Sequence, residues 1–396
     1  SIRSNSLLRE WVEGNIMDKK LKIGITCYPT YGGSGVLATE LGVALAKRGH
    51  EVHFITSSLP YRLSKGFQEN MFFHPVEMME YPLFGQSPYA VVLSAKMAEV
   101  FRQENLDLIH VHYAIPHATS AILARDMVLP ERMPVITTLH GTDITLVGKD
   151  PSLAEITRYS IDKSDAVTTV SDYLTQTTYD QFDLQQHIQR IYNFVDTSIF
   201  DVQEDKFPCR KEAFGFSDET VFVHMSNFRE VKRPLDVVEI FYQVHQKRAD
   251  TKLLMVGEGP LYNSCRMKVR ELGLESSVKF LGKQEDVVSI LQMSDIMLFP
   301  SQVESFGLAP LEAMACGIPV IASNSGGVPE VVTHGECGYL ADVGDVETMA
   351  KFSLKLVEDC ELRHTMGQAG REIAERKFSP EEIIGQYEAL YYRVLN

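Results

Sequence analysis

The sequence alternates between short apolar runs and longer amphipathic stretches, in two successive series. Apolar runs of this length fill parallel strands that are buried on both faces, and the stretches between them suit crossover helices. The first series begins at Leu21, and the pattern restarts after Asn193-Phe194-Val195-Asp196. Strands are expected at 22–27, 51–56, 107–112, 135–140 and 166–170, and then at 221–225, 252–256, 278–281, 296–299 and 320–322. The sequence therefore predicts an α/β protein with two Rossmann-like, doubly wound domains facing an interdomain cleft.

The domain boundaries follow from this pattern. A chain of 396 residues can build two domains, each with its own core. Residues 1–16 precede Met17 and lack the apolar centre of a signal peptide, so we interpret them as a vector-derived remnant outside the fold. We expect domains at 17–192 and 193–377. Residues 378–396 begin with a capping box that has proline at the first helical position, which predicts a docked terminal helix.

Composition excludes several classes of partner. The net charge of −15 argues against nucleic acid and anionic membranes, and it requires a local group of cations for any anionic substrate. No apolar run has the length of a membrane span. The six cysteines are scattered without paired metal-binding spacing, which favours reduced thiols in a cytoplasmic protein. The sequence does not decide whether the protein is a monomer or a homo-oligomer.

Two glutamates eight residues apart, Glu304 and Glu312, dominate the functional interpretation. The apolar run 295–301 predicts a buried strand, and Pro310 is tolerated only near a helix start. One carboxylate then lies in the loop and the other in the helix, where both can face a ligand at the carboxyl end of the strand. Gly307 allows close backbone approach, and a helix start offers N–H groups to an anion. This favours a sugar phosphate; an ordinary acidic helix start is the alternative.

A basic segment follows the first strand of the second series. Arg229 and Lys232 lie in Ser226-Asn227-Phe228-Arg229-Glu230-Val231-Lys232-Arg233-Pro234, where cations clamp phosphates. A solvated basic loop is the alternative. Gly257, in a tight turn after the next strand, is by itself weak evidence for a site.

The glycine-rich turn after the first strand fits Gly-x-Gly-x-x-Ala through Gly33, Gly35 and Ala38. A dinucleotide site also requires an acidic residue at the end of the second strand, which here ends in Thr56-Ser57-Ser58. We therefore favour a turn that presents N–H groups to an anion. An NAD-dependent oxidoreductase remains an alternative, which titration with UDP and with NAD would separate.

Histidines end two strands of the first series. His110 and His112 lack a carboxylate or cysteine partner, so a metal site is disfavoured and a buried, hydrogen-bonded role is expected for His110. His140, beside Gly141 and Thr142 at a strand tip, is the better candidate for the cleft.

Together these motifs resemble the retaining glycosyltransferases of family 4, which have the GT-B fold. The resemblance covers nearly the whole chain from Met17 and is strongest at the Glu-x7-Glu motif. It implies that Glu304 holds sugar hydroxyls, that Glu312 holds the ribose, and that the terminal helix crosses back to the first domain. The family's phosphate-clamping arginine is replaced by Asn227, so its contact with the phosphate is made by Asn227, by the nearby Arg229 or by no residue, while Lys232 is retained. The donor-binding residues implied are Gly33, Asn227, Arg229, Lys232, Gly257, Phe306, Gly307, Leu308 and Glu312.

Within this family, residues 24–35 and 226–233 are similar to enzymes that join N-acetylglucosamine to L-malate in bacillithiol biosynthesis. The resemblance implies a UDP-N-acetylglucosamine donor, an L-malate acceptor, no tightly bound metal and no other cofactor. Implied catalytic residues are His140, Lys232 and Glu304. For the acceptor, similarity to a related mycothiol enzyme implies Tyr113 and Arg158, and Thr142 and Ser34 are added because of their positions at a strand tip and in the glycine-rich turn. Another sugar or a lipid acceptor is the alternative, although residues 61–67 form only a faint basic amphipathic segment. A catalytically silent sugar-nucleotide-binding protein is a further alternative, against which the intact glutamate pair argues.

Overall fold

A computed structural model describes residues 19–29, 33–59, 68–78, 85, 88–202 and 215–396. The segments 1–16 and 61–67, both interpreted above from sequence, lie outside these ranges. The chain divides into two compact units. One consists of Ser1–Tyr192 together with Pro380–Asn396, and the other of Asn193–Ser379.

The first unit contains a parallel sheet whose described strands run in the order β3-β2-β1-β4-β5-β6-β7. The strands are β1 (Lys22–Thr26), β2 (Glu51–Thr56), β3 (Met71–Pro75), β4 (Leu108–His112), β5 (Val135–Leu139), β6 (Ala166–Thr169) and β7 (Ile188–Arg190). Its helices are Ser34–Lys47, Tyr89–Glu104, Thr119–Met127, Thr142–Thr145, Ala154–Lys163, Asp172–Gln181 and Pro380–Leu395. A kinked turn at Ala114–Ala118 and a 3-10 turn at Val147–Lys149 complete the connections.

The second unit repeats this winding with the order β10-β9-β8-β11-β12-β13. The strands are β8 (Thr220–Met225), β9 (Thr251–Val256), β10 (Val278–Gly282), β11 (Ile296–Phe299), β12 (Val320–Ser323) and β13 (Gly338–Ala341). The helices are Pro234–Lys247, Tyr262–Glu271, Val287–Gln292, Leu308–Ala315, Val328–Val331, Val346–Glu358 and Cys360–Lys377, and a 3-10 turn occupies Glu230–Lys232.

Strand order reverses direction at one place in each sheet, between β1 and β4 and between β8 and β11. Loops leaving the carboxyl ends of these neighbouring strands diverge to opposite faces and open a crevice, which is where ligands bind in open parallel sheets. The predicted acceptor residues after β4 and the predicted donor residues after β8 and β11 follow these strands.

The terminal helix Pro380–Leu395 packs on the first unit through an apolar stripe of six side chains: Ile383, Ile384, Tyr387, Leu390, Tyr391 and Tyr392. The Tyr391 hydroxyl lies 2.7 Å from Nδ1 of His110. Glu388 pairs with Arg48 and lies 2.8 Å from Nε2 of His50.

Every strand predicted from the sequence is present within one or two residues of its predicted ends. Three strands were not predicted, namely β3, β7 and β13. Each has three to five residues, and β3 is a partly exposed edge strand ending in proline, so none has the long apolar run of a central strand. The five cysteines in the described ranges are free thiols. Among the helices that the structure describes, none is long and apolar enough to cross a bilayer.

Candidate active site

Lys232 and Glu304 form an ion pair at the crevice of the second sheet. Lys232 ends the 3-10 turn that follows β8, and Glu304 lies in the loop that follows β11. The two loops are joined by a backbone hydrogen bond in which Gln302 donates to Val231 at 2.7 Å. Both side chains are mostly buried, with exposed fractions of 21% and 15%. The predicted phosphate and sugar residues therefore lie in direct contact.

A glycine pair holds the Glu304 loop in place, and the sequence analysis missed it. Gly327 donates its N–H to the Glu304 carbonyl at 2.8 Å. A Cβ at Gly326 would lie 2.3 Å from the Glu304 carbonyl oxygen, and one at Gly327 would lie 2.2 Å from that of Ser305. Only glycine permits this approach. The Gly-Gly doublet after β12 was the available signal.

The helix Leu308–Ala315 begins at Gly307, whose φ of 110° is in the region that favours glycine. The first backbone hydrogen bond of this helix joins the Leu311 N–H to the Gly307 carbonyl, so the earlier N–H groups have no acceptor within the helix. Phe306 is buried against Phe378, with ring centroids 5.7 Å apart. Glu312 is partly buried in the second turn of the same helix.

The loop with Asn227 and Arg229 packs directly on the glycine turn after β9. A Cβ at Gly257 would lie 1.8 Å from the Ser226 carbonyl oxygen, and one at Gly259 would lie 1.8 Å from that of Asn227. Asn227 and Arg229 are exposed. In the described part of the chain, Arg229 forms no ion pair, so its guanidinium is available to an anion.

A buried histidine in β8 forms a hydrogen bond with the start of this loop. His224, in β8, lies 2.9 Å from the Leu298 carbonyl oxygen through Nδ1 and 2.9 Å from the Ser226 hydroxyl through Nε2. Burial lowers the pKa of His224 to about 4, so the ring is neutral near pH 7. A polar residue inside an apolar strand was the one sequence feature that could have indicated this role.

In the first unit, Gly33 and Ser34 form the start of the helix Ser34–Lys47, with Gly33 at a φ of 63°. Leu37 donates to the Gly33 carbonyl at 3.3 Å, which leaves the preceding N–H groups at the helix start. The turn predicted from Gly33, Gly35 and Ala38 is therefore a helix N-terminus beside the crevice of the first sheet.

Asp143 joins the loops that follow β4 and β5. Its carboxylate accepts hydrogen bonds from Ala114 N–H at 3.1 Å and Gly141 N–H at 3.0 Å. Burial raises the pKa of Asp143 to about 6, although these backbone hydrogen bonds act to lower it. The bridge holds the segment after Tyr113 against the turn before Thr142. Sequence reasoning missed Asp143, although it directly follows His140, Gly141 and Thr142 in the sequence.

Four histidines form a group behind these loops: the buried His110, His112 and His117, and the partly buried His140. His112 Nδ1 lies 2.8 Å from His140 Nε2, and His110 Nε2 lies 2.6 Å from the Thr138 hydroxyl. Burial lowers the pKa of His110 and His140 to about 3 and that of His117 to about 4, and it holds the pKa of His112 well below 6.5. The buried, hydrogen-bonded role predicted for His110 is confirmed, and all four rings are neutral near pH 7.

Tyr113 projects from this group at a φ of 83°, an unusual value for a non-glycine residue. Its ring centroid lies 5.4 Å from that of His140 and 5.1 Å from that of Tyr28. Thr142 is exposed at the start of the short helix Thr142–Thr145. Tyr113 and Thr142 thus flank the turn that Asp143 holds, while Tyr28 is an aromatic neighbour that the sequence analysis did not identify.

Arg158, unlike Tyr113 and Thr142, is held by ion pairs within its own helix. Its guanidinium pairs with Glu155 at 2.7 Å and with Asp162 at 3.3 Å on its own helix, Ala154–Lys163. That helix contacts the segment after Tyr113 through Thr119 and Ser160, whose hydroxyls are 2.6 Å apart. Within the described ranges, Arg158 forms no hydrogen bond with another predicted acceptor residue. An acceptor carboxylate at Arg158 would have to compete with two acidic side chains.

Comparison with known proteins identifies relatives of both units. A family model described as Glycosyltransferase Family 4 matches residues 31–199, and one described as Glycosyl transferases group 1 matches residues 207–373. The chain is 50% identical over 377 residues to N-acetyl-alpha-D-glucosaminyl L-malate synthase from Bacillus anthracis, covering 95% of this chain and 98% of that protein.

Two solved structures share the fold at low sequence identity. A glycosyltransferase from Rickettsia africae ESF-5 has a TM-score of 0.80 at 21% identity, with 96% of this chain and 99% of that chain covered. Anabaena Alr3699/HepE, in complex with UDP and glucose, has a TM-score of 0.79 at 20% identity, with 93% and 99% covered.

Proposed function

Because this chain belongs to the family 4 glycosyltransferases, we propose that it transfers N-acetylglucosamine from UDP-N-acetylglucosamine to the hydroxyl of L-malate, with retention at the anomeric carbon. The product would be N-acetyl-alpha-D-glucosaminyl L-malate, an intermediate of bacillithiol biosynthesis. The observation that carries the proposal is the 50% identity over 95% of the chain to the Bacillus anthracis synthase. The Lys232–Glu304 ion pair and the glycine-dependent packing of the loops in the second unit support the proposal.

The donor is assigned to the second unit. Lys232 is the cation nearest the proposed diphosphate, with the exposed Arg229 as an additional fork. The N–H groups at the start of the helix Leu308–Ala315 favour the same anion. Glu304, in contact with Lys232, would accept hydrogen bonds from sugar hydroxyls, and Glu312 those of the ribose. A bound diphosphate would pair with Lys232 and weaken the ion pair that Lys232 forms with Glu304.

The transfer itself exchanges one bond for another. The bond between the anomeric carbon and the β-phosphate oxygen breaks, and a bond from that carbon to the malate hydroxyl oxygen forms on the same face of the sugar. The proton of the malate hydroxyl passes to the leaving phosphate oxygen. Lys232 and the helix start at Leu308 would stabilise the charge that grows on UDP. This scheme requires no enzyme nucleophile, metal ion or cofactor in the transfer.

The acceptor is assigned to the first unit. Tyr113, Thr142 and the helix start at Gly33 and Ser34 offer hydroxyl and N–H donors to a dicarboxylate. His140 is neutral, and its ring is engaged with His112, so we assign its contribution to the main-chain oxygen beside the anomeric carbon rather than to proton transfer.

Arg158 supplies the cation of the acceptor site if malate draws it from Glu155 and Asp162. The free thiols of the five described cysteines support a reducing compartment such as the cytoplasm for this reaction.

The test is a matrix of donors and acceptors with purified protein. UDP-N-acetylglucosamine, UDP-glucose and GDP-mannose are each combined with L-malate, D-malate or a neutral hydroxy ester, and nucleotide release and product mass are followed. We expect efficient release only with UDP-N-acetylglucosamine and L-malate, together with a product that has the mass of the glycoside. Preference for a neutral or lipid acceptor would reject the malate assignment and retain family membership. Binding of NAD without UDP would reject the donor assignment.

A further inference from the structure

We propose that the first unit binds a divalent transition-metal ion, with zinc the best match, through His53, His74 and Glu104. One ligand atom from each of these residues lies within 4.8 Å of the others. Among the described residues, this is the group of three or more histidine, cysteine or acidic side chains with metal-binding spacing. The proposal is independent of the transfer reaction, and it departs from the sequence-based expectation of no bound metal.

The sheet places the two imidazoles side by side. His53 is the third residue of β2, and His74 lies on the edge strand β3. In the parallel register, His53 is opposite Phe72 and Ile55 is opposite His74. Because alternate residues of a strand share a face, both histidines project from the same face of the sheet. Their Nδ1 and Nε2 atoms are 2.8 Å apart, and Glu104 approaches from the end of the helix Tyr89–Glu104.

Glu51 fixes the tautomer of His53. Nε2 of His53 lies 2.7 Å from a Glu51 carboxylate oxygen, and an ionised carboxylate can only accept a hydrogen bond. Nε2 therefore carries the proton, and Nδ1 presents its lone pair toward His74. A histidine that donates one ring N–H to a carboxylate while the other nitrogen binds the ion is the usual arrangement around protein-bound zinc.

A simple histidine–histidine hydrogen bond is the competing explanation of the 2.8 Å distance. Two nitrogens bound tetrahedrally at about 2.0–2.1 Å from one zinc ion lie roughly 3.4 Å apart, so binding requires them to separate by about half an ångström. His74 is partly exposed on an edge strand and can make this adjustment, and its exposure leaves room for water as a fourth ligand. The presence of Glu104 as a third ligand favours a site for an ion, since a hydrogen bond between two imidazoles needs no carboxylate.

The surrounding charges also favour a cation. Glu51 and Glu104 supply two negative charges, and Lys22, 3.4 Å from Glu51, supplies one positive charge. Lys96 and Glu99, which also face His74, pair with each other at 3.2 Å and offset one another. The pocket for the ion therefore has a net negative charge before metal binds.

The site lies away from the proposed acceptor residues. Lys22 and Glu51 begin β1 and β2, and Lys22 donates to the Glu104 carbonyl at 3.2 Å. Tyr113 and Thr142 instead follow the carboxyl ends of β4 and β5. The ion would thus pin the edge strand β3 to β2 and to a helix end, as a structural site rather than a catalytic one.

The experiment uses full-length protein that carries no histidine tag and has been treated with a chelator. Zinc is titrated against a chromophoric competitor, and cobalt is added separately so that its visible absorption reports the ligands. We expect one zinc ion per chain with a dissociation constant of about 1 µM or tighter. His74→Ala should weaken binding at least about 100-fold, and Glu51→Gln about 10- to 100-fold. His364→Ala, at an exposed histidine of the other unit, is the matched control and should bind as the wild type does.

Glu104→Gln, at a partly buried helix end, provides a second variant in case His74→Ala does not fold, and it should weaken zinc binding at least about tenfold. At the same zinc concentration, zinc should also raise the melting temperature of the wild type by more than that of Glu104→Gln. Unchanged affinity in His74→Ala and Glu104→Gln would overturn the proposal. Wild-type binding weaker than about 0.1 mM would do the same, as would loss of the ion in His140→Ala alone, since that result would place it on the His112–His140 pair.

Discussion

Replacement of Gly257 by alanine tests how the donor loop is held. The new Cβ would lie 1.8 Å from the Ser226 carbonyl oxygen and 3.0 Å from the carbonyl carbon. A carbon and an oxygen normally stay about 3.2 Å or more apart, so the loop with Asn227 and Arg229 must shift by about 1.4 Å. A displacement near 1 Å at a binding or reacting group can cost about 100-fold in rate. We expect Gly257→Ala to weaken UDP binding at least tenfold.

The matched control is Gly273→Ala in the same unit. Gly273 also has a positive φ, 67°, but a Cβ there would meet no atom within 4 Å. Both variants carry backbone strain of roughly 1–2 kcal/mol, and only the first moves the donor loop. UDP affinity is measured by calorimetry, and thermal melts show that both proteins are folded. If folded Gly257→Ala bound UDP within twofold of Gly273→Ala, the packing of these two loops would not position the nucleotide.

Three further results are expected. Glu312→Gln should weaken UDP binding by roughly 1.5–3 kcal/mol. Glu304→Gln should lower turnover but leave UDP binding unchanged or tighter, because Lys232 is released from its ion pair. An equal loss of UDP affinity in both variants would contradict the assignment of Glu312 to the nucleotide and Glu304 to the sugar. Arg158→Ala should raise the apparent malate constant and leave UDP binding unchanged, and normal malate use by the variant would remove Arg158 from the site. Acid should unfold the first unit near pH 5 to 5.5. The group of four histidines has folded pKa values below the ordinary 6.5, so its stability contribution is present above pH 6.5 and is lost as pH falls. At pH 5.5 the rings of His110, His117 and His140 each cost about 1.4 kcal/mol, or about 4 kcal/mol together, and His112 acts in the same direction. Asp143, whose pKa is raised, offsets about 1 kcal/mol of this cost. A circular-dichroism titration without a transition above pH 4.5 would contradict this expectation.

The architecture was predictable because its signals are local. Central strands such as β1 and β11 are continuous apolar runs, and Pro310 and Gly307 mark the start of one helix within a few residues. The winding order then follows from the general behaviour of parallel sheets. The edge strand β3 was missed because two of its five residues are exposed, the other three are only partly buried, and the run is short. With β3 unrecognised, the proximity of His53 and His74 could not be inferred.

The sequence predicted which residues belong to the candidate site, but it did not predict most of the contacts between them. Lys232 and Glu304 are 72 residues apart in sequence, and only the sheet order brings the loops after β8 and β11 together. Asp143 acts through a backbone N–H of a distant loop, which leaves no pattern in the residues around it. The doublet Gly326-Gly327 is visible in the sequence, but it does not show which distant carbonyl groups approach it. The ion pairs of Arg158 on its own helix follow from spacings of three and four residues, which the acceptor argument did not weigh.

The discontinuity of the first unit has a consequence for biosynthesis. Its core includes Tyr387 and Tyr391 from the last helix, and His110 in its central sheet takes a hydrogen bond partner from that helix. The ribosome therefore synthesises β1–β7 long before it synthesises the terminal helix that completes their packing. During that interval the whole second unit, Asn193–Ser379, is made and can fold on its own. The unit that is synthesised first is the one that finishes folding last, and chains truncated before Pro380 and released from the ribosome should remain sensitive to protease in the first unit while the second is resistant.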